Sequence, residues 1–307
     1  MNQANLTKIR TNLHRRQLIN SLFALLGMMI IAIALIILLG LTIKMAIQGY
    51  PRITPEFFTS FPSRRASSAG ILSAWVGTSL VMLVTALAAI PLGVASGIYL
   101  EEYAKKNWIA DLIEINVTNL AGVPSIIYGL LALGLFVYQL RLGESILAAG
   151  LTLALLILPV VIVTTRESLR AIPNNLREAA YALGASKWQT IWDHILPYSF
   201  GSILTGIIIG LSRAIGETAP IITIGALTFI AFLPKPPLSG EFPFISFEWL
   251  QAPFTVMPIQ MFNWVSRPQA AFEINAAAAG TVLICMTLGI NAIAIYLRYQ
   301  LRKGIKW

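Results

Sequence analysis

Long uncharged apolar stretches, separated by short charged segments, form the dominant pattern along this chain of 307 residues. Six of them are near or above the length of a membrane span: residues 18–43; the uncharged stretch 66–100, with helix expected from Ile71; 115–140; 145–165; 198–233, interrupted by Arg213 and Glu217; and 274–297. A hydrocarbon core about 30 Å thick needs about 20 helical residues at a rise of about 1.5 Å each. No stretch alternates as a strand would, and none carries the polar stripe of a soluble amphipathic helix over any length. In lipid only helices or closed barrels satisfy every backbone group. The expectation is therefore an all-α, polytopic membrane protein with six transmembrane helices. The first stretch follows Lys8, Arg10, Arg15 and Arg16 as a signal peptide would. Its apolar run is longer than a signal h-region and no small-x-small site follows, so a retained helix is expected.

Composition narrows the class. Charged residues make up 11% of the chain, apolar residues 57%, and mean hydropathy is +0.75. Soluble domains carry roughly 25% charged residues, so an ordinary soluble enzyme is excluded, and disorder with it. One cysteine, Cys285, allows no internal disulfide and no multi-cysteine metal site. His14 and His194 are far apart in sequence, so no metal and no cofactor is expected. The net charge of +9 reads first as cytoplasmic loops, not as a nucleic-acid surface. With six spans both termini share a side. That side carries the four N-terminal cations, Lys105, Lys106, Arg166, Arg170, Arg177, Lys187, Arg298, Arg302, Lys303 and Lys306. The other carries Lys44, Arg52, Arg64, Arg65, Arg141, Lys235 and Arg267. The bias puts both termini in the cytoplasm.

The outside segment 234–273 holds seven of the sixteen prolines, with Trp249 and Trp264. Prolines at that density forbid a long regular helix. The aromatics suit a membrane interface or a docking surface.

The inside segment 166–197 is long but not loop-like. Pro173 and Asn174–Asn175 make a turn and a helix start, and 176–183 reads as a short helix with Glu178 in its first turn. Gly184 fits a helix stop. Ser186 can cap a second short helix bearing Trp188, Ile191, Trp192 and Ile195 at helical spacing, which Pro197 is expected to end. Such a pair could rest on lipid or insert into a soluble partner; both uses need an apolar side.

Within this segment Glu178-Ala179-Ala180, Gly184, and Leu196-Pro197 resemble the EAA loop of permease subunits of ATP-binding-cassette (ABC) transporters, with pattern EAA-x3-G-x9-I-x-L-P. The sequence departs from it at His194, where an aliphatic residue is usual. RAIGETAP at 213–220, GIYLEEYA at 97–104, VPSIIYG at 123–129 and GTSL at 77–80 resemble the permeases of the high-affinity phosphate importer. The YLEEYA stretch and EFFTSFPSR at 56–64 are similar to the PstA type more than to its PstC partner. The resemblance covers about residues 51–297. It implies a half-transporter in the inner membrane, paired with a PstC-like permease, driven by cytoplasmic ATP-binding subunits and fed by an extracytoplasmic phosphate-binding protein. It further implies that Glu178, Ala179, Ala180, Gly184, Leu196 and Pro197 couple the permease to its ATPase. The expected organisation is a tail, first helix and outside loop at 1–70, a five-helix permease core at 71–297, and a basic tail at 298–307.

No G-x4-G-K-[ST] loop occurs in the sequence, and no nucleophile–base pair is evident, so the chain is not expected to be an enzyme. The unusual residues are Arg213 and Glu217, four apart inside the fifth stretch. A central arginine facing lipid costs about 2.5–3.5 kcal/mol on insertion scales, so both should face the bundle interior or a wet path. Pro220 leaves the carbonyl of Gly216 without its helical donor, marking a helix break beside the charges. The pair is either a self-neutralised structural contact or part of a substrate path in which Arg213 attracts an oxyanion. Arg166 and Arg170 read as positive-inside anchors, and Glu101 and Glu102 as solvated caps or contacts to a partner permease. The competing classes are a secondary transporter or anion channel without an ATPase, and a membrane scaffold. The absence of an obvious inverted repeat and the 178–197 connector argue against the former. A scaffold would not need the buried charges.

Overall fold

The structure is a computed structural model that describes residues 3–105, 107–236 and 246–302. Lys106, the stretch 237–245 of the outside segment, and Lys303 and Lys306 of the basic tail lie outside the described residues. The described residues form helices joined by turns, with no strand among them.

Helix α1 spans Gln3–Gly49 without a break, about 70 Å at about 1.5 Å per residue. The basic N-terminal tail is thus a helical continuation of the first span. From Leu18 to Ile43 its large apolar side chains are exposed around the whole circumference, which is stable only in lipid. Its main contact among the described residues is near its C-terminal end, where Gly49 lies against the backbone of Ala277 and Ala278. A short α2, Pro55–Thr59, leads to α3, Leu72–Ile98, which ends in a wide π turn at Tyr99–Tyr103.

The third apolar stretch is not one straight helix. It forms α4, Trp108–Leu120, and α5, Ser125–Ala132, the latter continued by a π turn to Gln139; the two halves meet at 106°. Pro124 has no N–H to continue the ladder. The freed carbonyl of Leu120 accepts instead from the Val123 N–H (3.1 Å) and the Tyr128 hydroxyl (2.7 Å). Asn107 caps α4 by accepting from the Ala110 N–H, so the helix starts earlier than apolarity suggests and includes Glu114.

Helix α6, Ile146–Arg170, is the most buried span and packs along α3. Small residues let the two approach: Gly150 faces Val84, Gly93 faces Val161, and Gly97 faces Thr165. The Thr85 hydroxyl bridges them, 3.1 Å from the Gly150 carbonyl. Helix α7, Asn174–Ala182, follows, then a single turn α8, Lys187–Gln189, a π turn at Thr190–Ile195, and α9, Leu196–Gly216. The chain is helical from Lys187 to Gly216. The expected stop at Pro197 is absent: the π turn carries the helix past it, the Leu196 N–H donating to the Ile191 carbonyl five residues back. The helix that carries the fifth span therefore begins at 187, ahead of the expected start, and ends at 216 and not near 233. After α10, Ala219–Thr223, the chain becomes irregular.

In the proline-rich segment 234–273, α11, Met257–Val265, has Pro258 in its first turn and packs on α12, Ala270–Arg302. Its tryptophans are not interfacial. Trp249 belongs to the cluster built on α3, α6 and α9, and Trp264 is fully buried with Phe57, Met257 and Phe272. Among the described residues five helices are each long and apolar enough to cross a membrane, or six if the bent α4–α5 pair forms one span.

Candidate functional site

Arg213 lies in the last turn of α9. The helix ends at Gly216, and Glu217 follows in extended conformation (φ −77°, ψ 127°). The pair nevertheless meets, Arg213 Nε to Glu217 Oε1 at 3.4 Å. The cationic side chain also suits the negative end of the α9 dipole. The chain turns at Thr218 and resumes as α10 with Pro220 in its first turn. This turn is braced by α5: Gly129 lies so close to Pro220 and Thr223 that a Cβ there would meet Pro220 Cα at 2.6 Å.

Within this chain the pair is not enclosed. The Arg213 side chain is 39% exposed and that of Glu217 is 20%. On its inner side Glu217 borders a void of about 10 Å³, shared with Thr78, Met82, Leu153, Ile215, Ile221 and Val256. That is about the space of one water and far too small for an oxyanion. Beside the pair, the Ser212 hydroxyl donates to Asn291 Oδ1 at 2.7 Å, tying α9 to α12. Any solute that meets Arg213 meets it at an open surface of this subunit.

The connector lies at the opposite end of α9. Glu178 and Ala179 are exposed on α7, while Ala180 is buried. Gly184 has φ 84°, the left-handed conformation that closes a helix. Its N–H donates to the Tyr181 carbonyl, and the Ala185 N–H reaches the Ala180 carbonyl at 3.0 Å. Ser186 and Gln189 form a reciprocal capping box. Leu196 and Pro197 open α9. The four apolar residues of the second arm divide: Ile191 and Ile195 are buried with Leu169, whereas Trp188 and Trp192 stack at 5.4 Å and stay exposed.

Next to the connector the structure gathers charges whose partnership the sequence hid. Arg166, 10% exposed, contacts Glu114 at 2.8 Å and Glu101 at 3.5 Å. Arg170 contacts Glu101 at 3.1 Å and Glu114 at 3.7 Å. Arg177 of α7 contacts Glu102 at 2.7 Å. Arg166 and Arg170 are thus ion-pair partners, not plain anchors. Glu101 and Glu102 are engaged in ion pairs within the chain and are not solvated caps. The available signal was the surplus of arginines and glutamates flanking three span ends, which fixes no pairing.

Comparison with known proteins agrees with this architecture. The chain is 33% identical to the phosphate transport system permease protein PstA of Yersinia pestis, over 90% of this chain and 88% of that one. It is 30% identical to a probable ABC transporter permease protein, YqgI, of Bacillus subtilis (89% and 93% covered). It is also 30% identical to PstA of Mycobacterium leprae (93% and 90%). Among solved structures, an inward-facing form of the MetNI methionine ABC transporter superposes with a TM-score of 0.55 at 16% identity, covering 74% of this chain and 94% of that one. At that identity the likeness concerns the fold alone. Residues 89–307 match the family described as binding-protein-dependent transport system inner membrane component. With that match over most of the chain, the protein belongs to this family of multi-pass inner-membrane transport components.

Proposed function

We propose that this chain is one permease subunit of an ABC importer that carries inorganic phosphate into the cell. The observation that carries the reading is the open position of Arg213. An arginine and a glutamate at a helix end, exposed on one face and backed by a void of about 10 Å³, form half of a path. A second permease, of the PstC type, completes it. Phosphate is favoured as the substrate by the two PstA relatives and by the fit of a guanidinium to a planar pair of oxyanion oxygens. Gly216 and Pro220 shape the break that lets backbone groups approach the path.

Both termini and the 166–197 segment lie in the cytoplasm, where Glu178, Ala179, Ala180, Gly184, Leu196 and Pro197 form the docking element for a separate ATP-binding subunit. The chain contributes no hydrolytic chemistry of its own. A phosphate-binding protein delivers solute from the other side. Residues 71–297 form the permease core, and the segment 1–70 attaches to it through α1 and α2.

The test is purification of the tagged chain from membranes in mild detergent. A second permease and a soluble ATPase should accompany it, and labelled phosphate uptake in cells lacking other phosphate importers should depend on it. Recovery of the chain alone, with uptake driven by an ion gradient, would favour the secondary-transporter reading instead.

A further inference from the structure

The ends of α3 and α6 and the start of α7 meet beside the connector, against the middle of α4, and they are tied by charge. Arg177 is the anchor of α7. Its Nη2 donates to Glu102 Oε1 at 2.7 Å and to the Leu169 carbonyl at 3.0 Å. Its Nη1 donates to the Ile172 carbonyl at 2.8 Å, and its Nε to Glu102 Oε1 at 3.2 Å. One side chain thus holds α7 to the end of α6 and to the π turn that ends α3. Glu101 and Glu102 are neighbours in that turn but point to different elements, since consecutive helical residues diverge by roughly 100°. Glu102 serves α7, whereas Glu101 takes Arg166 and Arg170 of α6. Arg166 and Arg170 extend the set to Glu114 of α4. Glu167 adds a contact to Arg170 at 3.3 Å, so three arginines face four glutamates and the cluster is not a resting place for an anion.

The space around it is open. A cleft of about 460 Å³, lined by Glu101, Glu102, Arg170, Asn174 and Arg177, separates the end of α3 from α7. Apolar packing of α7 is slight: Ala180 is its buried residue, and Leu176 is partly buried against Leu169, Ile191 and Ile195. Across the cleft the ionic contacts, not close-packed side chains, bridge α7 to α3. Lys187, after Gly184, adds a second bridge over the ring of Tyr103, 5.1 Å from its centroid.

We propose that Arg177 and Glu102, backed by Glu101, Glu114, Arg166 and Arg170, are the strut that passes displacement of α7 to the ends of α3 and α6 and to the middle of α4. They act as positioning residues: they touch neither ATP nor phosphate, and they fix the direction of α7 relative to the membrane helices. The inference rests on the reading that the 174–197 segment engages an ATPase.

The full complex, reconstituted in vesicles with its binding protein, tests it through labelled phosphate moved per ATP hydrolysed. Glu102→Gln, nearly isosteric, should keep the ATPase bound and hydrolysis within about twofold, while phosphate moved per ATP falls at least tenfold. Arg177→Lys keeps the charge and should lose less. A merely structural contact would lower the yield of complex and leave the ratio unchanged, and that result overturns the strut. Should Glu102→Gln fail to accumulate, Glu101→Gln is read by the same ratio, and an unchanged ratio overturns the proposal equally. Absence of any ATPase from the unaltered complex overturns the coupling reading and the strut together, and so is distinguishable from failure of the strut alone.

Discussion

Arg213 and Glu217 stay in contact, Nε to Oε1 at 3.4 Å, although the helix carrying Arg213 ends at Gly216 between them. The pair therefore spans a helix end, and a movement of α10 against α9 would open or close it. Removing one partner alone leaves the other charge uncompensated. The double change Arg213→Leu with Glu217→Leu removes both charges and leaves neither unpaired. The expected result is a normally assembled complex that retains its ATPase and loses phosphate uptake. Near-normal uptake would leave the pair as a structural contact and discard the path.

Gly184 sits at φ 84° with open space where a Cβ would go, so strain and not a clash governs substitution there. A β-branched residue in the left-handed region costs about 1–2 kcal/mol. Gly184→Val should leave membrane abundance unchanged and weaken ATPase association or uncouple hydrolysis from uptake. Gly184→Asn, which tolerates the left-handed region better, should restore most of the association. Pull-down of the ATPase by the tagged permease reads both; undiminished uptake with Gly184→Val would favour a connector that merely rests on lipid.

Sidedness can be read with two cysteines placed in a Cys285→Ala background. Asn175 on α7 and Ser266 after α11 are both exposed. An impermeant thiol reagent added to intact cells with a permeable outer envelope should label Ser266→Cys, and should label Asn175→Cys only after the membrane is opened. Labelling of both from outside would refute the cytoplasmic placement of the connector.

Helix α1 touches the rest of the chain mainly where Gly49 crosses α12. A Cβ there would stand 2.5 Å from the Ala278 nitrogen, backbone that cannot yield. Gly49→Leu should free the C-terminal end of α1 at a cost of about 1–3 kcal/mol, the range for overpacking. Since α3, α6 and α9 pack without α1, the complex should still assemble and bind its ATPase. Thermal unfolding followed in detergent should shift down by several degrees, and proteolysis should increase near Arg52. Complete loss of assembly would show that α1 is integral to the core.

The spans and the all-α class were legible in the sequence because they depend on local quantities. Apolar length sets a membrane crossing, and the bilayer supplies the same demand at every helix. The capping box at Ser186 was half-legible for the same reason, as the serine announces a helix start within three residues. Local chemistry misled where a neighbour decided the outcome. Pro197 looked like a stop, yet a π turn at Thr190–Ile195 carries the helix through. Pro124 bent the third stretch by 106°, which apolar length alone does not register. Trp249 and Trp264 looked interfacial, but facing helices provided room to bury them. The charge cluster was least visible of all. Glu102 and Arg177 are 75 residues apart, and Glu114 and Arg166 are 52 apart. No periodicity links such positions. Their partnership follows from which helix ends the packing of α3 against α6 brings together, and small residues such as Gly93, Gly97 and Gly150, set opposite larger ones, fix that packing only once both helices are in place.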